Sequence, residues 1–186
     1  MTTVVSIHQP NYLPWIGYFH KILTADTFVY LDTVEFNSDS VTHRNKIKTT
    51  DGEHWLTVPI SSPSSATIAE LEIDTSQRWQ RTHRKSLETH YANAAHFSEH
   101  TDLLDPYDAR EWSKLVPLNV EFIERISNLL DLDTEFVAAS DLSVDGSGTD
   151  LLVDICAELG AETYFSGTGA KSYHDESQFE QRNIDL

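Results

Sequence analysis

Residues 3–31 read TVVSIHQPNYLPWIGYFHKILTADTFVYL, and this stretch decides the predicted fold. Residues 3–7 and 27–31 are short runs rich in β-branched and aromatic side chains, which suit strands buried on both faces. Between them, Pro14 can occupy the first turn of a helix that continues to Leu23. A strand, a helix and a second strand of these lengths predict a right-handed βαβ unit, as in Rossmann-like sheets.

The rest of the chain alternates between strand and helix patterns. The predicted elements are a hairpin over 42–60 that turns at Asp51-Gly52, helices over 77–95 and 117–129, a strand over 134–139, a helix over 150–159 ended by Gly160, and a strand over 163–165. The sequence therefore predicts a single α/β domain over residues 1–186. Its Rossmann-like, mostly parallel sheet carries an inserted hairpin and a helical section.

The charge of the chain limits its partners. Thirty acidic residues against 13 Lys and Arg give a formal net charge of −17, so we expect neither nucleic acid nor anionic lipid as a partner. Acidic residues scattered among Thr, Ser and Ala favour a halophilic, high-salt cytoplasm, where charges are screened within about 3 Å at 1 M salt. A charged leader and an apolar stretch of about 18 residues are both missing, which predicts a cytoplasmic protein without membrane insertion.

The acidic charge is unevenly distributed. Residues 1–50 hold four acidic and four basic side chains, so the net negative charge falls after residue 50. An anionic small molecule is therefore expected in the first quarter of the chain. A second basic group comprises Arg78, Arg81, Arg84 and Lys85, for which neutralisation of neighbouring acids is the favoured interpretation.

The loop after the first predicted strand holds the main candidate site residues, because open α/β sheets bind ligands where their strands end. The predicted catalytic residues are His8, Gln9 and Tyr12, with His8 as a general base near neutral pH. Asn11 and Tyr18 are predicted to bind substrate. The alternative is a rigid turn whose aromatic side chains fill the core and whose histidine is merely hydrogen-bonded.

Two further segments carry groups that suit a phosphate. Arg44, Lys46 and Lys48 share one side of a strand and can clamp an anion with help from Asn45, unless they form a solvated strand face. Residues 166–171 offer glycines, hydroxyls and one cation at a strand end, although a plain glycine-rich turn has the same composition. The predicted substrate-binding residues of these segments are Arg44, Asn45, Lys48, Ser166, Gly167 and Lys171. We expect both segments to meet the His8 loop at one edge of the sheet.

The sequence lacks the motifs of a zinc site, a reactive cysteine and a serine hydrolase. The nine histidines form no zinc signature and are predicted to be isolated surface residues, so no metal-ligating residues are predicted. The cofactor and any need for Mg²⁺ stay open. Cys156 lies in an apolar run and is predicted to be a small core residue. No GxSxG motif indicates a serine hydrolase.

The segment IHQPNYLPWIGYFHKI at residues 7–22 resembles the opening signature of the WbqC-like protein family. Similar motifs follow at 28–32, 44–48, 55–59 and 164–167, and Asp32 within them becomes a further substrate-binding candidate. The resemblance implies a bacterial or archaeal protein encoded with surface-polysaccharide genes, linked to O-antigen or amino-sugar modification as a transferase. It also implies a further family segment of some tens of residues beyond Leu186, so functions that need this segment are open.

A weaker analogy is to nucleotidyltransferases of the HIGH type. Residues 15–18 and 165–171 lie at comparable places, but Trp15, Tyr18 and Lys171 replace the residues that contact the triphosphate, so the analogy supports the fold more than the reaction. The leading hypothesis is a transferase that moves an acyl or aminoacyl group from a phosphate-bearing donor to an amino sugar. The alternatives are nucleotidyl transfer and a non-catalytic binding subunit of a glycan-assembly complex. No oligomeric state is predicted.

Overall fold

The computed structural model of the protein describes residues 2–63, 65–167 and 175–186. The chain divides into two compact units and passes between them several times. Unit 1 comprises Met1–Pro10, Trp15–Val34 and Leu130–Leu186. Unit 2 comprises Asn11–Pro14 and Glu35–Leu129. The prediction of a single domain stays a prediction.

Strands and helices alternate along the described chain. The strands are β1 (Val4–His8), β2 (Thr27–Tyr30), β3 (Arg44–Thr49), β4 (Gly52–Thr57), β5 (Glu135–Ala138) and β6 (Thr163–Tyr164). The α-helices are α1 (Ile16–Thr24), α2 (Trp79–Tyr91), α3 (Pro106–Ala109), α4 (Leu115–Leu129), α5 (Gly148–Glu158) and α6 (Glu176–Gln181). Short 3-10 turns occupy Ile68–Glu70, Phe97–Glu99, Thr101–Leu104 and Ala139–Asp141.

Unit 1 is built on a parallel sheet whose described strands lie in the order β5-β2-β1-β6. All three neighbouring pairs are parallel, which confirms the predicted α/β fold with a mostly parallel sheet. Val5 and Ile7 of β1 belong to a buried cluster that also contains Ile155 of α5 and Phe179 of α6. Each large apolar side chain buried in this way contributes about 2 kcal/mol to the stability of the sheet.

The start of α1 differs from the prediction. Pro14 was expected in its first turn, but the helix begins at Ile16, with Trp15 at the position before it. The reason is that the backbone of Trp15 is extended, with φ −75° and ψ 165°, so helical geometry begins only after it. By contrast, Gly160 follows the end of α5 with a φ of +65°, as predicted.

Unit 2 contains the predicted antiparallel hairpin, β3 and β4, together with α2, α3 and α4. Ile47 is buried while its neighbour Lys46 is exposed, which confirms the predicted alternation along β3. β4 ends at Thr57 rather than near residue 60. Pro59 has no N–H to donate, so it cannot extend the ladder of hydrogen bonds.

The prediction that the histidines are isolated surface residues is wrong for His43 and His83, which are 8% and 5% exposed. His83 lies four residues after Trp79 and therefore on the same buried face of α2. The prediction for Cys156 is confirmed, since it is fully buried and burial raises its pKa to about 12. Among the described helices, none is long and apolar enough to cross a membrane.

Candidate functional site

The carboxyl ends of parallel strands lie at the same edge of a sheet, and in unit 1 this edge collects polar side chains. His8 is the last residue of β1, and Asp32 follows β2 after one intervening residue. Ser140 follows β5, and Ser166 and Gly167 follow β6. We call this edge the candidate site.

His8 is held between two aromatic side chains. Its ring centre lies 5.6 Å from that of Trp15 and 5.0 Å from that of Tyr18, both in edge-to-face geometry. Its Nδ1 lies 3.1 Å from the carbonyl oxygen of Gln9, which can only accept a hydrogen bond. In the neutral ring, Nδ1 therefore donates to that oxygen and Nε2 carries the lone pair. The Tyr18 hydroxyl donates to the same oxygen at 3.1 Å.

The pKa of His8 is lowered to about 4, chiefly by burial and further by the positive charge of Lys21, while the hydrogen bond to Gln9 raises it. The imidazole is therefore neutral at pH 7 and can accept a proton. An anion bound beside it would favour the protonated form and raise its pKa towards neutrality. This is the range in which a histidine works best as a general base.

Lys21 is a member of the candidate site that the sequence predictions missed. It is 7% exposed, and its Nζ donates to the carbonyl of Ile7 at 3.0 Å. Burial lowers its pKa to about 8, and no carboxylate pairs with it among the described residues. A buried cation without an anionic partner is unfavourable, so an anion bound next to Lys21 would be stabilised. The available signal was its position one residue before Ile22, on the apolar face of α1.

The segment after β6 is fixed against β1. Phe165 donates its backbone N–H to the carbonyl of Val5 at 2.8 Å, and the Ser6 hydroxyl donates to the carbonyl of Phe165 at 2.8 Å. These bonds bring Ser166 to the strand end next to that of His8. The remaining predicted residue of this segment, Lys171, lies outside the described residues.

Asp32 is 3% exposed and uses both carboxylate oxygens within unit 1. One oxygen accepts the backbone N–H of Ser140 at 2.9 Å and the other accepts its hydroxyl at 2.7 Å. The carboxylate thus ties the loop after β2 to the turn after β5. Among the described residues, no cluster of three His, Cys, Asp or Glu side chains is placed to hold a metal ion.

In unit 2, Tyr12 is fully buried, and its hydroxyl contacts Nδ1 of His83 at 2.8 Å and the hydroxyl of Tyr107. Burial raises the pKa of Tyr12 well above its ordinary value, and Tyr107 raises it further. Its backbone N–H donates to the carbonyl of Thr42 at 3.1 Å. Tyr12 therefore anchors its segment in the core of unit 2, and its predicted catalytic role stays a prediction.

Asn45 fixes the same segment. Its Nδ2 donates to the carbonyl of Leu13 at 2.8 Å, where the backbone has a φ of +43°. A left-handed conformation of a leucine costs on the order of 1–3 kcal/mol, so it persists only where surrounding contacts hold it. Asn11 beside it is 2% exposed, and its Nδ2 has no hydrogen-bond partner among the described residues. A bound ligand with an acceptor would satisfy this donor.

The predicted basic row is partly engaged within unit 2. The Arg44 guanidinium lies 4.8 Å from the ring centre of Trp55 and donates to the carbonyl of Asp39 at 3.1 Å. The side chain of Lys48 is exposed and makes no ion pair among the described residues. The prediction that this row joins His8 and Ser166 in one site stays a prediction.

Fold and site together define an α/β protein with polar groups at the carboxyl edge of a parallel sheet. The chain belongs to the WbqC-like protein family, whose model matches residues 9–186. It is 34% identical over 183 residues to a protein of Mycobacterium tuberculosis named "Uncharacterized protein Rv1507c". This match covers 97% of the chain and 79% of the relative. No solved structure gives a significant match.

Proposed function

We propose that the protein is a transferase that moves an acyl or aminoacyl group from a phosphate-bearing donor to the amino group of an amino sugar. One observation carries the proposal. At the carboxyl edge of the sheet, His8 is neutral with its lone pair on Nε2, and the buried cation Lys21 donates to the carbonyl of Ile7, the residue before His8. A proton acceptor next to an uncompensated positive charge suits a nucleophile that must be deprotonated beside an anionic donor.

In the proposed step, the amine nitrogen of the acceptor bonds to the carbonyl carbon of the donor. The bond from that carbon to the leaving group breaks, and the leaving group departs with the electron pair. The proton lost by the amine moves to Nε2 of His8. The positive charge of Lys21 stabilises the anionic donor, and the Ser166 and Gly167 segment lies at the neighbouring strand end to bind its phosphate.

The test is a thermal-shift screen of the full chain against acyl donors, nucleotide sugars and nucleoside triphosphates, with and without Mg²⁺. The proposal expects stabilisation by an acyl donor or a nucleotide sugar, and loss of turnover in His8→Gln. The matched control is His96→Gln, since His96 is a surface histidine that should leave turnover unchanged. Stabilisation only by a nucleoside triphosphate, and only in the presence of Mg²⁺, would instead support nucleotidyl transfer. Stabilisation only by a protein partner would support a binding subunit.

The proposal also covers the biosynthetic process and the kind of cytoplasm in which the protein works. The motifs shared with the WbqC-like family support a place in surface-polysaccharide biosynthesis, and the net charge of −17 supports work in the cytoplasm of a halophilic archaeon. Repulsion between surface carboxylates is screened at high salt, so we expect the chain to unfold at low ionic strength. Circular dichroism across a potassium chloride series measures this, and a fully folded chain in dilute buffer contradicts it.

A further inference from the structure

One exposed face of α2, in unit 2, carries a group of basic side chains that the proposed function does not use. The cations Arg78, Arg81 and Lys85 lie beside the hydroxyls of Thr82, Ser86 and Thr89 and line an open groove of about 460 Å³. We call this surface the α2 basic face. No residue of the candidate site belongs to it.

The helix places these side chains together. Residues three, four and seven apart along a helix lie on the same face, so Arg78, Arg81, Thr82 and Lys85 form one row. With a rise of 1.5 Å per residue, the row from Arg78 to Lys85 is about 10 Å long. Three cations therefore lie within the length of a small molecule.

The three cations Arg78, Arg81 and Lys85 make no ion pair with the described residues, although the chain is acidic. The segment 75–91 contains four of the 13 Lys and Arg residues but only one of the 30 acidic residues, Glu88. Arg84 pairs with Glu88 at 2.9 Å and with Asp108 at 3.2 Å. Within the described part of the chain, Arg78, Arg81 and Lys85 make no ion pair. Arg84 therefore neutralises neighbouring acids. Arg78 and Arg81 share a second groove with Asp108 and Glu111 but form no ion pair with them.

We propose that the α2 basic face binds a compact polyanion that carries two or three phosphate groups within about 10 Å, as in a di- or triphosphate. Each guanidinium can donate two parallel hydrogen bonds to one phosphate, and the lysine adds a third point charge. The Thr82 and Ser86 hydroxyls can donate to the remaining oxygens. His90, at the far end of the same groove, adds a further donor.

The charge of the whole chain sets an upper limit on the length of this ligand. The net charge of the chain is −17, so most of its other charged side chains are acidic. A long polyanion would extend past the three cations and meet repulsion, which decreases its affinity. Charge complementarity therefore favours a small phosphate compound over nucleic acid or long-chain polyphosphate.

The test is isothermal titration of the full chain with sodium tripolyphosphate, at the lowest salt concentration at which the protein stays folded. The double variant Arg81→Gln/Lys85→Gln should bind about tenfold more weakly, because each exposed charged hydrogen bond contributes to affinity. The matched control is Lys114→Gln/Arg182→Gln, which removes the same charge from cations that are already paired. The control should bind like the natural chain. Equal weakening in both double variants would overturn the proposal, because it would show a general charge effect.

Two further measurements complete the test. Lys21→Met should retain the binding that Arg81→Gln/Lys85→Gln loses, so failure of the proposed transferase function would leave this result intact. Orthophosphate should bind more weakly than tripolyphosphate because it cannot reach all three cations. Long-chain polyphosphate should bind no more tightly than tripolyphosphate at equal molar concentration of chains. A much tighter affinity for the long chain would overturn the assignment of a compact ligand.

Discussion

The ammonium of Lys21 donates to the carbonyl of Ile7, the residue directly before His8 in β1. This 3.0 Å contact places a buried positive charge next to the strand end that carries the predicted general base. The pKa of His8 is lowered chiefly by burial and further by Lys21, whereas the pKa of Lys21 is lowered by burial. A bound anion would stabilise the charged form of both side chains.

Replacing this cation should separate stability from binding. Lys21→Met shortens the unbranched side chain by one atom and removes a buried charge that has no carboxylate partner among the described residues, so the free energy of unfolding should rise by about 1 kcal/mol or more. Stabilisation by phosphate-bearing donors should fall at the same time. Thermal melts with and without ligand measure both effects. A fall in melting temperature of the free protein would show that Lys21 is structural.

Stability should decrease as the pH falls from 7 to 5. The folded pKa of His8 and that of His83 are both about 4, mainly through burial, whereas an unfolded histidine titrates near 6.5. Between these values the unfolded state binds more protons, so protonation favours unfolding, and the stability present above pH 6.5 is lost. Each histidine should cost up to about 2 kcal/mol over this range.

Urea unfolding at several pH values measures this loss. His83→Gln should unfold at a lower urea concentration at pH 7 but show a shallower decrease towards pH 5, because one of the two titrating groups is gone. His96→Gln removes a histidine whose side chain is 75% exposed and should retain the slope of the natural chain. An unchanged slope in His83→Gln would contradict the assigned cause.

The indole of Trp15 lies against Gly17, where there is no room for a side chain. A Cβ at Gly17 would lie 2.5 Å from Nε1 of Trp15, so Gly17→Ala should push the indole away from the His8 ring. The helix itself should tolerate alanine, which favours helix over glycine by about 1 kcal/mol. We expect changed tryptophan fluorescence and weaker donor binding in a folded protein.

A double-variant cycle tests this mechanism. If Gly17→Ala acts only by displacing Trp15, it should have little further effect on binding in the Trp15→Ala background. If the loss of affinity in the double variant equals the sum of the losses in the two single variants, Gly17 contributes in another way.

Removing the Tyr12 hydroxyl should weaken unit 2. Tyr12→Phe leaves Nδ1 of His83 and the hydroxyl of Tyr107 without their shared partner, at a cost of about 1–3 kcal/mol in the free energy of unfolding. Tyr91→Phe is the control, since the Tyr91 hydroxyl accepts one exposed backbone hydrogen bond, from Lys48 at 3.1 Å, and should cost less. Chemical unfolding measures the difference. If Tyr12→Phe lost turnover but kept its free energy of unfolding, the result would support the predicted catalytic role of Tyr12.

The sequence predicted the parallel sheet because its strands are short apolar runs with helices between them, a pattern that depends on neighbouring residues only. The burial of Tyr12 was not predictable in this way. Its hydroxyl partners, His83 and Tyr107, are 71 and 95 residues away in the chain. Likewise, the loop His8–Tyr18 was read as one continuous turn, although Asn11–Pro14 belongs to unit 2.

The residues of the candidate site were predictable only where local sequence determines their position. A strand end can be located from local sequence, and His8 and Ser166 were found there. Asp32 was chosen from family motifs, but its side chain is occupied by Ser140, a residue 108 positions later. Lys21 is missed when lysines are only counted toward the net charge. Its position on the apolar face of α1 indicates that it is buried.

The low pKa of His8 has a consequence for the timing of the proposed reaction. In the empty protein the imidazole is too weak a base to deprotonate a nucleophile efficiently near pH 7. A negatively charged donor would raise its pKa, so the base would become effective only after the donor has bound. The proposed reaction therefore requires the donor to bind before the amine loses its proton.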